Sequence, residues 1–81
     1  MKLIDTVQFM LSSDYKDRFK AEYEQAKIRH DSLQSMIEKY ENGSLDFEPT
    51  CEISLLKEQL YRMEGYIYIL EARARVEGIE L

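Results

Sequence analysis

What the chain lacks narrows its chemistry before anything else does. Of 81 residues, one is histidine, one is cysteine, one is proline and none is tryptophan. A lone cysteine, Cys51, excludes an intramolecular disulfide and makes a reduced, intracellular setting the simplest reading. No second histidine or cysteine stands at metal-ligand spacing from His30 or Cys51, so the sequence offers no metal site and implies no cofactor. There is no glycine-rich phosphate loop and no nucleophile motif, and the carboxylates are spread along the chain rather than paired. The sequence reads as that of a protein that is not an enzyme. No apolar run approaches the length of a membrane span. The N-terminal MKLIDTVQFML is broken by Asp5, Thr6 and Gln8 and lacks the small-residue cleavage site of a signal peptide. Those absences point to a cytoplasmic protein with no membrane partner.

The charge balance excludes another class. A formal net charge of −5 argues against unaided binding of duplex DNA, which needs a basic face for its phosphates. It leaves room for a small anionic ligand held by a few arginines. What the chain does have, at 44% hydrophobic and 33% charged residues, is the composition of one helical domain. A domain of this size buries a modest fraction of its surface, so self-association is expected.

Punctuation divides the chain into three helical stretches. Residues 1–11, apolar at Leu3, Ile4, Val7, Met10 and Leu11, form a short amphipathic docking segment. The cluster Ser12-Ser13-Asp14 caps a helix over 13–41 that Asn42-Gly43-Ser44 ends, with Gly43 in the left-handed position. A loop over 42–51 contains Phe47 and Pro49, which clamp it onto the helix ends. Thr50 or Cys51 then caps a second helix over 52–77, with Gly78 as its stop.

Spacing decides the fold. Phe19, Tyr23, Ala26, His30, Leu33, Ile37 and Tyr40 alternate steps of four and three. Ile53, Leu56, Leu60, Met63, Ile67, Leu70 and Ala74 alternate steps of three and four. Both are heptad seams. Folded back across Gly43, they match rung for rung, from Tyr40 with Ile53, through His30 with Met63 and Tyr23 with Leu70, to Phe19 with Ala74. The expected fold is all-α: an antiparallel helical hairpin with a short N-terminal helix, assembled as an oligomer. His30 lies in the seam and is better read as a packed or hydrogen-bonded core residue than as a base.

The second helix carries more apolar surface than one seam needs, at Leu55, Tyr61, Tyr66, Tyr68 and Ile69. The N-terminal segment can cover part of it, and a second copy the rest. Within this helix stands Gly65, which costs roughly 1 kcal/mol against alanine. It has two readings. A helix of the same or another subunit crosses there and needs the missing Cβ, or Tyr61, Gly65 and Tyr68 form the floor and walls for a flat ligand. The two agree if a ligand sits at a subunit interface. Arg62, Arg73 and Tyr66 share one face of this helix, and Arg18 and Arg29 share a polar flank of the first. Arginine forks suit phosphate and carboxylate alike, and Glu22, Glu58, Glu64 and Glu77 are near enough to be ordinary partners. The candidate ligand-binding set is therefore Arg18, Arg29, Tyr61, Arg62, Gly65, Tyr66, Tyr68 and Arg73.

DYKDRFKAEYEQ (14–25), GSLDFEPTC (43–51) and ILEARARVEGIEL (69–81) carry a resemblance over nearly the whole chain. The sequence resembles small helical accessory proteins of phages and prophages of Gram-positive bacteria. That resemblance implies action in the host cytoplasm, often against antiviral defence. Unrelated families of similar size act as oligomeric sponges for nucleotide immune signals such as cyclic dinucleotides or cyclic ADP-ribose derivatives. By that analogy the expected function is sequestration of a small anionic nucleotide at a subunit interface. The alternative is a protein-binding inhibitor or adaptor, anti-CRISPR-like, whose helical faces occlude a host protein complex. A structural virion or regulatory component is the third possibility. Interleaving of acidic residues with Lys and Arg weakens nucleic-acid mimicry more than it weakens simple protein binding.

Overall fold

The computed structural model describes residues 1–81, and its elements follow the sequence punctuation closely. A 3-10 turn, Leu3–Thr6, leads into α1, Val7–Met10; two long helices follow, α2, Tyr15–Glu41, and α3, Ile53–Glu77. Asp14 is the α2 cap, its carboxylate accepting from the Lys16 amide at 3.0 Å, so the helix proper begins one residue later. Ser12 steadies that cap by accepting from the Asp14 amide at 3.0 Å and donating to Asp17 at 2.8 Å. At the other end Gly43 takes φ 78°, a left-handed conformation costly to residues with a Cβ. The chain then turns back with the Ser44 and Leu45 amides on the Lys39 carbonyl.

The start of α3 corrects one expectation. Neither Thr50 nor Cys51 caps it, and Cys51 is exposed. Glu52 holds the N-cap position through its backbone alone, its carbonyl accepting from the amides of Leu55 and Leu56. At the C-terminus Gly78 turns left-handed at φ 71°, and the Ile79 amide returns to the Ala74 carbonyl at 2.8 Å. This closure folds Ile79 back onto the helix it has just left.

The two long helices pack antiparallel as the seams require. Every seam residue of α3 is buried or half-buried, while nearly all its other positions are exposed. The seam of α2 behaves alike from Phe19 to Ile37, and Tyr40 departs from it, 43% exposed in the last turn of α2. The tightest part is one end, where Phe19, Leu70, Ala74 and Ile79 are buried together with Tyr23 and Ala26 against them. Polar bonds at the seam edges fix the register. Tyr23 donates to Glu71 at 2.8 Å, and His30 Nε2 meets Glu64 at 3.0 Å, each one residue from the expected rung.

The N-terminal segment corrects a second expectation. It docks on α2, not on the surplus apolar surface of α3. Thr6, with 0% exposure, donates to the Leu3 carbonyl at 2.7 Å and accepts from Gln25 at 2.9 Å, and Ala21 is buried on this side. No helix is long and apolar enough to cross a membrane.

Truncation should rank the seam by burial. Leu70→Ala, at a site 1% exposed, should cost about 2–5 kcal/mol in urea unfolding. Leu60→Ala, half-buried, should cost less. Equal costs at the two sites would contradict the packing.

The seam histidine gives a pH dependence with a definite sign. The bonds to Glu64 and, secondarily, Asp31 raise the His30 pKa above the ordinary histidine value, against a smaller opposing effect of burial. Lys27 stands 4.0 Å from the same Asp31 carboxylate. A group whose pKa is raised by folding contributes stability that is complete below its unfolded value and lost as pH climbs through the folded one. Between about pH 6 and about pH 9, wild-type protein should therefore lose more stability than Glu64→Gln. Parallel urea midpoints for the two proteins would show that the contact contributes nothing.

Candidate functional site

At 3.6 residues per turn, the predicted site residues of α3 do not share one surface. Tyr61, Gly65, Tyr68 and Ala72, spaced by four, three and four, lie opposite the seam, on the outer face of the hairpin. Tyr61 is 67% and Tyr68 63% exposed, with Ile69 and Val76 exposed beside them. A Cβ built on Gly65 would meet nothing within 4 Å. Within one chain, then, no crossing helix explains this glycine, which removes the same-subunit form of the packing reading.

Arg62, Tyr66 and Arg73 lie a quarter-turn away, on the flank of α3 that adjoins Tyr15 of α2. The bonds across the helices identify that flank. Arg73 Nη2 donates to the Tyr15 hydroxyl at 2.8 Å, Tyr15 donates to Glu77 at 2.9 Å, and Arg73 Nε donates to Glu77 at 3.1 Å. The guanidinium of Arg73 also stacks over the Phe19 ring at 5.0 Å. Helix phase puts Arg18, Gln25 and Arg29 of α2 on this same side. His30–Glu64 and Tyr23–Glu71 occupy the opposite edge. Four of the five arginines thus line one flank of the hairpin.

Their engagement differs. Arg73 is the most firmly held, and its partners perturb each other: the Tyr15 hydroxyl, then Arg73, hold the Glu77 carboxyl below its usual range against the opposing effect of burial. The bond to Glu77 in turn leads the rise in the Tyr15 pKa. Arg62 pairs with Glu58 at 2.9 Å, both ends largely in solvent, an ion pair of little strength that a better anion can displace. Arg18 donates to the Ser12 carbonyl at 2.8 Å, and Arg29 makes no ion pair. Of the four carboxylates expected nearby, Glu58 and Glu77 take arginines, Glu64 takes His30, and Glu22 takes none. Tyr23 is uninvolved: burial, with its bond to Glu71, pushes its phenol up to about 12.

The set makes no hollow by itself. The concavities of the chain lie elsewhere, one of about 340 Å³ between α2 and the loop, lined by Ser32, Ser35, Met36 and Phe47 among others, and others near Pro49 and the chain ends. None is lined by Tyr61, Arg62, Gly65, Tyr66 or Tyr68. No group of three or more His, Cys, Asp or Glu side chains is placed to hold a metal ion. Sequence reasoning missed Tyr15 and Phe19 as the holders of Arg73. Their own spacing of four, level with Arg73 and Glu77 in the antiparallel register, was the available signal.

Comparison with known proteins gives a match to a family. A family model described as Sequestin matches residues 13–76, which takes in the loop and nearly all of α2 and α3. No curated protein and no solved structure matches the chain.

The open space at Gly65 makes a prediction about the chain by itself. Gly65→Ala adds helix propensity and meets no neighbour, so it should stabilise the fold by about 0.5–1 kcal/mol. The measurement is urea unfolding at dilutions where the midpoint no longer depends on concentration. A loss of stability there would place a crossing contact inside the chain after all.

Proposed function

The chain belongs to the Sequestin family, and from that premise we propose that it is a non-enzymatic binding protein. It sequesters a nucleotide immune signal, of the cyclic dinucleotide or cyclic ADP-ribose type, where its own copies meet. In the phage setting that the sequence resemblance implies, such removal would blunt host antiviral defence. The observation that supports this most is the pairing of surfaces on α3: an uncovered aromatic face bared at Gly65, next to a flank of arginines of which Arg29 is unpaired and Arg62 weakly paired. A base stacks on tyrosine at little entropic cost, and phosphate oxygens replace Glu58 at the Arg62 fork. Tyrosine, glycine and arginine supply stacking and charge but no activated nucleophile, so the ligand is held and released unchanged.

Folded protein incubated with a panel of cyclic dinucleotides and cyclic ADP-ribose isomers, desalted and then denatured, should release one of them intact on chromatography. Arg62→Ala and Tyr66→Ala should each weaken retention about 10–100-fold, the scale of a charge-assisted hydrogen bond for the first and of base stacking for the second, while the assembly keeps its mass. If well-folded protein retains no nucleotide at all, the protein-binding inhibitor takes the place of this reading.

A further inference from the structure

Folded alone, the chain shows more surface than its mass warrants. A globular monomer of 9.7 kDa exposes roughly 5,100 Å² by the usual scaling of surface with mass, whereas this chain exposes 5951 Å². The excess, roughly 800 Å², is what one partner contributes to a protein interface of standard size. The shape agrees: the radius of gyration is 15.0 Å where roughly 12 Å suits 81 residues.

The outer face of α3 is where that surface is apolar and uncovered. Along it run Tyr61, Gly65, Tyr68 with Ile69, Ala72 and Val76, and the charged side chain that reaches it is Arg62, whose guanidinium lies 5.9 Å over the Tyr61 ring at its edge. The order is large, small, large, small, large, and it is the same in reverse. Laid antiparallel on itself, the run brings Tyr61 to Val76, Gly65 to Ala72 and Tyr68 to Ile69. Small residues then face small ones, letting the backbones approach, and large ones fill the space on either side. Self-complementarity of one patch is what a two-fold interface demands.

We infer that two copies pair antiparallel through α3, about a two-fold axis level with Tyr68 and Ile69, and that this pairing completes the ligand site. The pairing follows from the chain alone; its role in binding rests on the sequestration reading. A two-fold perpendicular to antiparallel helices keeps each flank of one copy on the same side as the same flank of the other. The arginine flanks of both copies therefore line one edge of the new seam. Arg62 and Tyr66 of one copy come level with Arg73 of the partner subunit, and the partner's Arg62 and Tyr66 meet the first copy's Arg73. Tyr61, Gly65 and Tyr68 join the copies; Arg62 and Tyr66 face the nucleotide. Each pair holds two equivalent sites.

Cysteine cross-linking in a Cys51→Ser background tests the register. Tyr61 and Val76 are both exposed in the chain, so Tyr61→Cys and Val76→Cys should fold normally. Under mild oxidation neither variant should cross-link to itself, while a mixture of the two should give the disulfide-linked heterodimer as its main product. Homodimers of each variant would mean parallel pairing, and absence of any cross-link would mean association elsewhere; either overturns the inference. Sedimentation gives a second reading that needs no disulfide. Gly65→Leu should fall to the mass of one chain with its helix content kept, whereas Ile4→Glu on the N-terminal segment should leave the mass unchanged. The reverse pattern overturns the inference. The two ideas fail separately. A 61–76 cross-link in protein that retains no nucleotide upholds the pairing and removes sequestration; retained nucleotide without that cross-link removes the pairing and leaves sequestration standing. If both hold, the linked dimer should carry two nucleotides.

Discussion

The seam between α2 and α3 uses one stripe of each helix, and the rest of the molecule is arranged by what that stripe leaves over. A coiled-coil stripe spans well under half the circumference of a helix. On α2 the remainder is shared between a polar flank and the N-terminal segment, held by the Thr6–Gln25 bond. On α3 nothing shares it, because the one element free to move there is already committed to α2. The surface available for function is therefore a residue of the packing problem rather than a cavity built for the purpose.

The edges of the seam differ, and that difference gives the hairpin two unlike sides. On one edge, histidine and tyrosine bond to carboxylates at His30–Glu64 and Tyr23–Glu71. On the other, Arg73 is stacked on Phe19 and bonded to Tyr15 and Glu77, within a line of arginines. Each edge locks the helix register through side chains anchored on both helices, so neither helix can slide without breaking both sets. A surface presented by α3 is thereby held rigid relative to α2, the condition for a binding face that is not reorganised on each encounter.

Much of this was legible in sequence because heptad spacing is a long, redundant signal. Fourteen seam positions agreed on one register, and a single exception such as Tyr40 could not disturb it. Local signals were less decisive. Asp14 announced its cap by type, but the cap at Glu52 is made by its backbone, which leaves no mark on residue identity. Ile79 lies beyond the helix stop and outside either heptad seam, yet the left-handed turn at Gly78 returns it to the core. The N-terminal segment is apolar in several directions, so its composition could not say which helix it covers. The candidate site was legible as residue types and illegible as one place. Tyr61, Gly65 and Tyr68 face outward and Arg62, Tyr66 and Arg73 sideways, and Arg62 alone bridges the two groups, its guanidinium 5.9 Å over the Tyr61 ring.

The distribution of the tyrosines has an optical consequence. With no tryptophan in the chain, its ultraviolet emission is dominated by six tyrosines. Tyr15 and Tyr23 donate their hydroxyls to carboxylates, an arrangement that quenches phenol fluorescence. Tyr61, beneath the Arg62 guanidinium, and Tyr66 and Tyr68 are exposed on α3, and Tyr40 at the loop end. Most of the light the protein emits therefore originates on or beside the surface in question, and unlabelled protein reports directly on whatever comes to cover it.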